Sequence, residues 1–130
     1  MSQPTILVIN DDKDITNIIA DILEFHGEYH AVTAYNGAAG IALAVSERPA
    51  LIIVDNMMPD PNGYEVCRTV HANPLTSAIP IIMTLLSGIP DFESLGRAAG
   101  ADELLYFPFE PDELFQRVKA VLARGRSVEH

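Results

Sequence analysis

A single α/β domain built on one doubly wound parallel sheet is the fold class this chain predicts. Two observations carry that expectation. Short apolar runs alternate five times with segments of helical spacing, separated by brief turns rich in Gly, Pro, Asn and Asp. Leu51-Ile52-Ile53-Val54 is moreover a continuous apolar run that ends abruptly at Asp55, the pattern of a strand covered on both faces. Strand–helix units joined by short connections close into a parallel sheet with right-handed crossovers and helices on both sides. At 130 residues the chain has enough material for one full core and too little for two.

Thr5–Ile9 predicts the first strand, stopped by Asn10-Asp11-Asp12. Ile15, Ile18, Ile19, Ile22 and Leu23 follow at helical spacing, with Gly27 just past the last turn. His30–Ala34 is a shorter, weaker strand broken by Asn36-Gly37, and the Ala-rich residues 38–45 predict a compact helix ending before Pro49. Residues 51–54 form the third strand, 59–63 a loop, and 64–71 a helix supported by Val66, Cys67 and Val70. The fourth strand is expected over 79–85, with Pro80 near its start and Ser87, Gly88 and Pro90 in the loop beyond. Phe92, Leu95 and Ala99 line the next helix, which stops at Gly100. Glu103–Phe107 is the fifth strand, ended by Pro108. The last helix opens near Pro111 and turns Leu114, Phe115, Val118, Val121 and Leu122 inward. The domain is expected to span residues 1–124. Arg124 to His130 reads as a frayed end, with 125–130 a tail, the start of a linker or a remnant of expression.

Composition narrows the function. A formal net charge of −10 repels a nucleic-acid backbone, so direct nucleic-acid binding is not expected of this domain. The lone Cys67 allows no internal disulfide, which fits a reducing compartment, and its default role is packing. No apolar stretch reaches the roughly 18 residues a membrane span requires, and Met1-Ser2-Gln3-Pro4 lacks the regions of a signal peptide. The expectation is a soluble, cytoplasmic domain with no membrane contact.

Asp55 is the first candidate for chemistry. Open α/β sheets bind ligands in the crevice beyond the carboxyl ends of their strands, and a charge placed there needs water, a cation or a partner. With the first and third strands adjacent, Asp11 would meet Asp55 at that edge. Two carboxylates and a carbonyl of the following loop make a partial oxygen shell suited to Mg²⁺, which could neutralise a phosphoryl group arriving on Asp55. The plainer alternatives are a surface acid for Asp55 and a helix cap for Asp11. Asp12 and Asp14 read as solvated or capping residues, Lys13 as a solvated lysine and Thr84 as a buried strand residue. Ser87 reads as a loop hydroxyl. His26, His30, His71 and His130 show no ligand spacing, and Tyr106 and Phe107 read as packing aromatics.

Several stretches now stand in a telling order: residues 6–12, residues 53–65 from Ile53 through Asp55, Met57 and Pro59 to Glu65, residues 79–83, Gly100-Ala101-Asp102-Glu103, and Pro108-Phe109. In that order and spacing the chain resembles the receiver domain of bacterial two-component response regulators over nearly its whole length. The resemblance implies a flavodoxin-like (βα)5 fold with strand order 2-1-3-4-5. It implies Asp55 as the acceptor of a phosphoryl group from a histidine kinase or phosphotransfer protein. Asp11, Asp55 and the Met57 carbonyl would be Mg²⁺ ligands, with Asp12 a further candidate. The signal would leave through the last two α/β units, to an output domain or a homodimer partner. Such a domain is a phosphoacceptor, not an enzyme, beyond slow Mg²⁺-dependent self-phosphorylation and autodephosphorylation.

The chain departs from the family pattern at four places. Asn10 stands where the first of two adjacent acids is usual, with Asp11 matching the second. Leu85 stands where a Thr or Ser ends the fourth strand, with Thr84 one residue early. Such a slip is expected to turn the hydroxyl to the opposite side of the strand. Leu104 stands at the usual aromatic position of the fifth strand, and Phe107 replaces the lysine before the Pro-Phe pair. A charge-assisted hydrogen bond contributes about 1.5–3 kcal/mol and an allosteric coupling is typically about 1–3 kcal/mol, so losing ammonium and hydroxyl together predicts impaired switching. Losing one acid together with the lysine leaves the formal charge at about −2 either way, so Asn10 is expected to relieve a repulsion that Phe107 would aggravate. Two rival readings remain: a pseudo-receiver acting as a phosphorylation-independent interaction domain, and an aspartyl phosphohydrolase. The hydrolase is the weaker, since Met57 stands where it would want an acid.

Overall fold

The computed structural model describes residues 3–125. Met1, Ser2 and residues 126–130, with His130 and nearly all of the expected tail, lie outside the described residues. The described residues form β1 (Thr5–Ile9), α1 (Lys13–Phe25), β2 (His30–Ala34), α2 (Gly37–Glu47), β3 (Leu51–Asp55), α3 (Gly63–Ala72), β4 (Ile81–Leu86), α4 (Phe92–Ala99), β5 (Glu103–Phe107) and α5 (Pro111–Arg124). The sheet runs β2-β1-β3-β4-β5, every pair parallel, as the resemblance implied. The order reverses between β1 and β3, so the ligand crevice of such a sheet opens beyond the carboxyl ends of these two strands.

Strand alternation builds two cores. Leu7, Ile9, Ile52, Val54, Ile81, Met83, Leu85 and Leu104 face α2, α3 and α4, where Ala44, Val66, Cys67, Val70 and Ala99 meet them. Ile6, Val8, Leu51, Ile53, Ile82 and Leu105 face α1 and α5, against Ile19, Leu23, Leu114, Val118 and Val121. Each strand therefore feeds both layers, which is why the strands read as unbroken apolar runs.

Helix starts follow local capping chemistry. Asn36 accepts from the Ala39 N–H, so α2 begins at Gly37, one residue before the expected start. Asn62 and Glu65 form a reciprocal capping box that opens α3 at Gly63. Pro80 has no N–H to donate, and β4 begins after it, at Ile81.

Two helical positions differ from expectation. Ile18 is 57% exposed and Leu95 47% exposed, although both belong to the apolar spacing that marks their helices in the sequence. Helix α4 approaches the sheet through Gly96, where a Cβ would stand 3.0 Å from Leu104 and 3.2 Å from the Met83 sulfur. That approach rotates the buried face to Gly96 and Ala99 and turns Leu95 outward. On α1 the buried face is Thr16, Ile19 and Leu23, which leaves Ile18 outside.

The end of the domain is tied rather than frayed at Arg124. Its guanidinium donates to the Asp102 carbonyl at 2.9 Å and to Glu103 at 2.8 Å, while Arg117 reaches Glu103 and the Leu104 carbonyl. Gly125 closes the helix by donating to the Val121 carbonyl at 2.8 Å.

Candidate functional site

Beyond the ends of β1 and β3 lies a cleft of 230 Å³ lined by Asn10, Asp11, Asp12, Ile15, Asp55, Asn56, Met57, Leu86 and Phe107. Local structure positions each acid. Asn10 is buried, and its side-chain oxygen accepts the Asp12 N–H at 2.9 Å. The wholly buried Thr16 places its hydroxyl 2.9 Å from the Asn10 carbonyl and 2.7 Å from that of Asp12. These bonds fold the strand end into the start of α1 and leave Asp11 exposed at the rim. Asp12 commits one oxygen to the N-cap of α1, accepting from the Ile15 N–H at 3.1 Å.

Asp55 is held at both oxygens. Oδ1 accepts the Thr84 hydroxyl at 3.1 Å and Oδ2 accepts the Met57 N–H at 3.1 Å. Behind it, the Asn56 N–H donates to the Thr84 carbonyl at 3.0 Å and the Gly63 N–H to the Asn56 carbonyl at 3.1 Å. The loop closes this tightly because residue 63 is glycine; a Cβ there would overlap the Asp55 carbonyl oxygen. Asn56 is itself buried and donates to the Tyr64 hydroxyl at 2.9 Å.

Burial pushes the Asp55 carboxyl up from 3.8 to about 6, the Thr84 hydroxyl and Met57 N–H pull it back, and the Asp11 charge adds a further push. Among the described residues no lysine or arginine lines the cleft. The Lys13 ammonium sits 5.4 Å from the centroid of the Tyr35 ring, a cation–π contact.

The structure thus brings Asn10, Asp11, Asp12, Asp55, Met57 and Phe107 to one cleft. It does not bring Leu85 or Leu104 there; both are buried on the face of α2, α3 and α4. The expectation for Thr84 is overturned. Thr84 is level with Asp55 in the β3–β4 register, and level residues of parallel neighbours share a face, so its hydroxyl meets the carboxylate. Leu86 then becomes the next cleft-facing residue of β4, level with Phe107 of β5. Thr84, Leu86, Ile15 and Asn56 are site residues that sequence reasoning missed. No signal within β4 itself sets which of its residues stands level with Asp55, because that is fixed by the pairing of two strands.

Oxygen donors make this site suitable for a hard cation. Among the described residues no three His, Cys, Asp or Glu side chains are grouped closely enough to cage a metal. Asp11 and Asp55 would leave most of the coordination to backbone and water. That arrangement fits Mg²⁺, which keeps several waters and takes one or two carboxylates, and fits a closed structural metal poorly.

Comparison with known proteins gives the family. The profile of the response regulator receiver domain matches residues 6–119. The chain is 40% identical over 120 residues to the phosphate regulon transcriptional regulatory protein PhoB of Pseudomonas aeruginosa, covering 92% of this chain and 52% of that protein. It spans about half the length of the curated relatives it matches. A crystal structure of a putative response regulator from Chloroflexus aurantiacus superposes with a TM-score of 0.89 at 33% identity, covering 95% of this chain and all of that one. The receiver domain of the sensor histidine kinase PA1611 from P. aeruginosa, solved with a magnesium ion in its active-site cleft, has the same fold. Its TM-score is 0.86 at 22% identity, with 94% of this chain and 99% of that one covered. No helix among the described residues is long and apolar enough to cross a membrane. Two converging strand-end acids, a 2-1-3-4-5 sheet and a profile match over most of the chain lead to one assignment: this chain belongs to the receiver domains of two-component response regulators.

Proposed function

We propose that Asp55 accepts a phosphoryl group from the phosphohistidine of a histidine kinase or phosphotransfer protein, with Mg²⁺ held by Asp11, Asp55 and the Met57 carbonyl. The observation that carries this reading is the Asp55 carboxylate itself, at the carboxyl end of β3 and held at both oxygens by Thr84 and Met57. A carboxyl that titrates at about 6 is largely ionised at neutral pH and can act as a nucleophile. An Asp55 oxygen forms the new P–O bond as the P–N bond to the donor ring breaks, and the electron pair of that bond stays on the ring nitrogen. The Met57 N–H and Thr84 hydroxyl orient the attacking group, and Asn10 sets the turn that presents Asp11. Charge neutralisation at the phosphoryl oxygens is the chemistry that Mg²⁺ supplies in such a site.

Switching is weaker than the acceptor chemistry. A hydroxyl remains beside Asp55, so the loss is that of the cation alone, with Phe107 standing in its place. The role is that of a signalling phosphoacceptor rather than an enzyme, and the signal reaches an output domain or a second copy through the α4–β5–α5 side. Intact-mass measurement after incubation with Mg²⁺ and either phosphoimidazole or acetyl phosphate tests the acceptor reading. One added phosphoryl mass on the parent chain and none on Asp55→Asn supports it; no added mass on the parent chain with either donor refutes it.

A further inference from the structure

The lining of the acceptor cleft is of two kinds. It combines the acids Asp11, Asp12 and Asp55 with the apolar Ile15, Met57, Leu86 and Phe107. Leu86 and Phe107 are level neighbours on β4 and β5, so they form a cross-strand apolar pair in the lining of the cleft that holds the acids. The Phe107 ring is set edge-on against Phe109, with centroids 5.7 Å apart and planes at 88°, which limits how far it can turn. Leu86 and Met57 are 51% and 57% exposed, so this apolar surface meets whatever enters. Among the described residues no lysine or arginine lines the cleft to offset the carboxylates.

We infer that the Leu86–Phe107 pair determines donor specificity, favouring phosphoryl donors whose leaving group is a neutral ring over donors whose leaving group is an anion. The inference rests on the phosphoacceptor reading of Asp55 and names the donor chemistry that the cleft accepts. A ring-borne donor, protonated at its second nitrogen, loses the phosphoryl group to Asp55 as its P–N bond breaks, and the ring departs as neutral imidazole. Its flat apolar faces can lie against Phe107 and Leu86. Acetyl phosphate transfers the same group by breaking a P–O bond, and acetate departs carrying the electron pair and a full negative charge. That charge develops against an apolar wall and beside acids, where no side-chain cation opposes it.

The test compares labelling rates with phosphoimidazole and with acetyl phosphate, both with Mg²⁺, for the parent chain, Phe107→Lys and Leu86→Lys. Intrinsic donor reactivity cancels when the phosphoimidazole-to-acetyl-phosphate rate ratio of each variant is divided by that of the parent. Either lysine should lower that ratio roughly tenfold or more, since one preorganised donor at a developing charge contributes about a hundredfold and a half-exposed lysine contributes less. Leu86 is half exposed and tolerates a long side chain, so it answers the question if Phe107→Lys does not fold. Ratios unchanged in a folded variant, with Asp55 still labelled, overturn the donor preference while leaving the acceptor role standing. Absence of labelling by both donors in every chain overturns both together.

Discussion

Thr84 and Asp55 stand level on adjacent parallel strands, and the threonine hydroxyl donates to the acceptor carboxylate at 3.1 Å. The hydroxyl comes from the strand position one residue before the family's usual one, and Leu85 is turned into the opposite core. Thr84→Val removes the donor while keeping the shape. Because that bond lowers the Asp55 pKa, the variant should titrate above 6, and the pH profile of its phosphorylation rate should move to higher pH. Thr84→Ser should restore the parent profile. A valine variant with an unmoved profile would show that the bond does not act on the carboxylate.

The raised Asp55 pKa has a stability consequence with a definite sign. A carboxyl that titrates higher in the folded chain than in the unfolded one is bound more tightly by protons when folded. Its ionisation therefore destabilises the fold, fully above about pH 6 and not at all below its unfolded pKa of about 4. Asp55→Asn should stabilise the chain at neutral pH by at most about 3 kcal/mol, and the gain should fade as pH drops from 6 to 4. Urea melts of both chains across that range check it; a pH-independent difference would mean the carboxylate is not desolvated.

Magnesium should reverse that strain. An ion that binds only the folded chain adds stability through mass action, about 2.7 kcal/mol at a hundredfold excess over its Kd. Millimolar MgCl₂ should raise the melting temperature of the parent chain at neutral pH. It should raise that of Asp11→Asn far less. Equal shifts in both would remove Asp11 from the ligand set.

The apolar substitution at Phe107 bears on switching. Two-dimensional NMR spectra with Mg²⁺ and beryllofluoride should show shifts concentrated at Asp11, Asp55, Met57 and Thr84. Only small changes are expected along α5. Large shifts spreading through α5 would mean that the coupling survives without the cation.

Asn10 and Phe107 offer a charge test. Asn10 is buried and bonded to the Asp12 N–H, where a further carboxylate would join Asp11 and Asp55 in lining the cleft. Asn10→Asp should lower stability at neutral pH without Mg²⁺, and Phe107→Lys should recover part of the loss. A coupling of about 0.5–3 kcal/mol is the expected size for neighbouring sites. Additive effects would separate the two substitutions.

Legibility differed by element for physical reasons. β1 and β3 were readable because a strand buried on both faces has no polar position to blur it, and Asp55 was readable because a charge ended such a run. Thr84 was misread because alternation tells which residues of one strand share a face but not which residue of the neighbour stands level. Pairing register decides that, and it is a property of two strands. Leu95 was misread because the close approach at Gly96 comes from a missing side chain, which adds nothing to an apolar pattern. Leu86 went unnoticed for the same reason as Thr84, two residues further along the strand.

Localising the phosphoryl group by fragmentation of the labelled protein is the most direct test of the account. After reaction with phosphoimidazole and Mg²⁺, the added group is expected on Asp55 alone. A phosphoryl group found on Asp11, on Asp12 or on a histidine, with Asp55 unmodified, would contradict it.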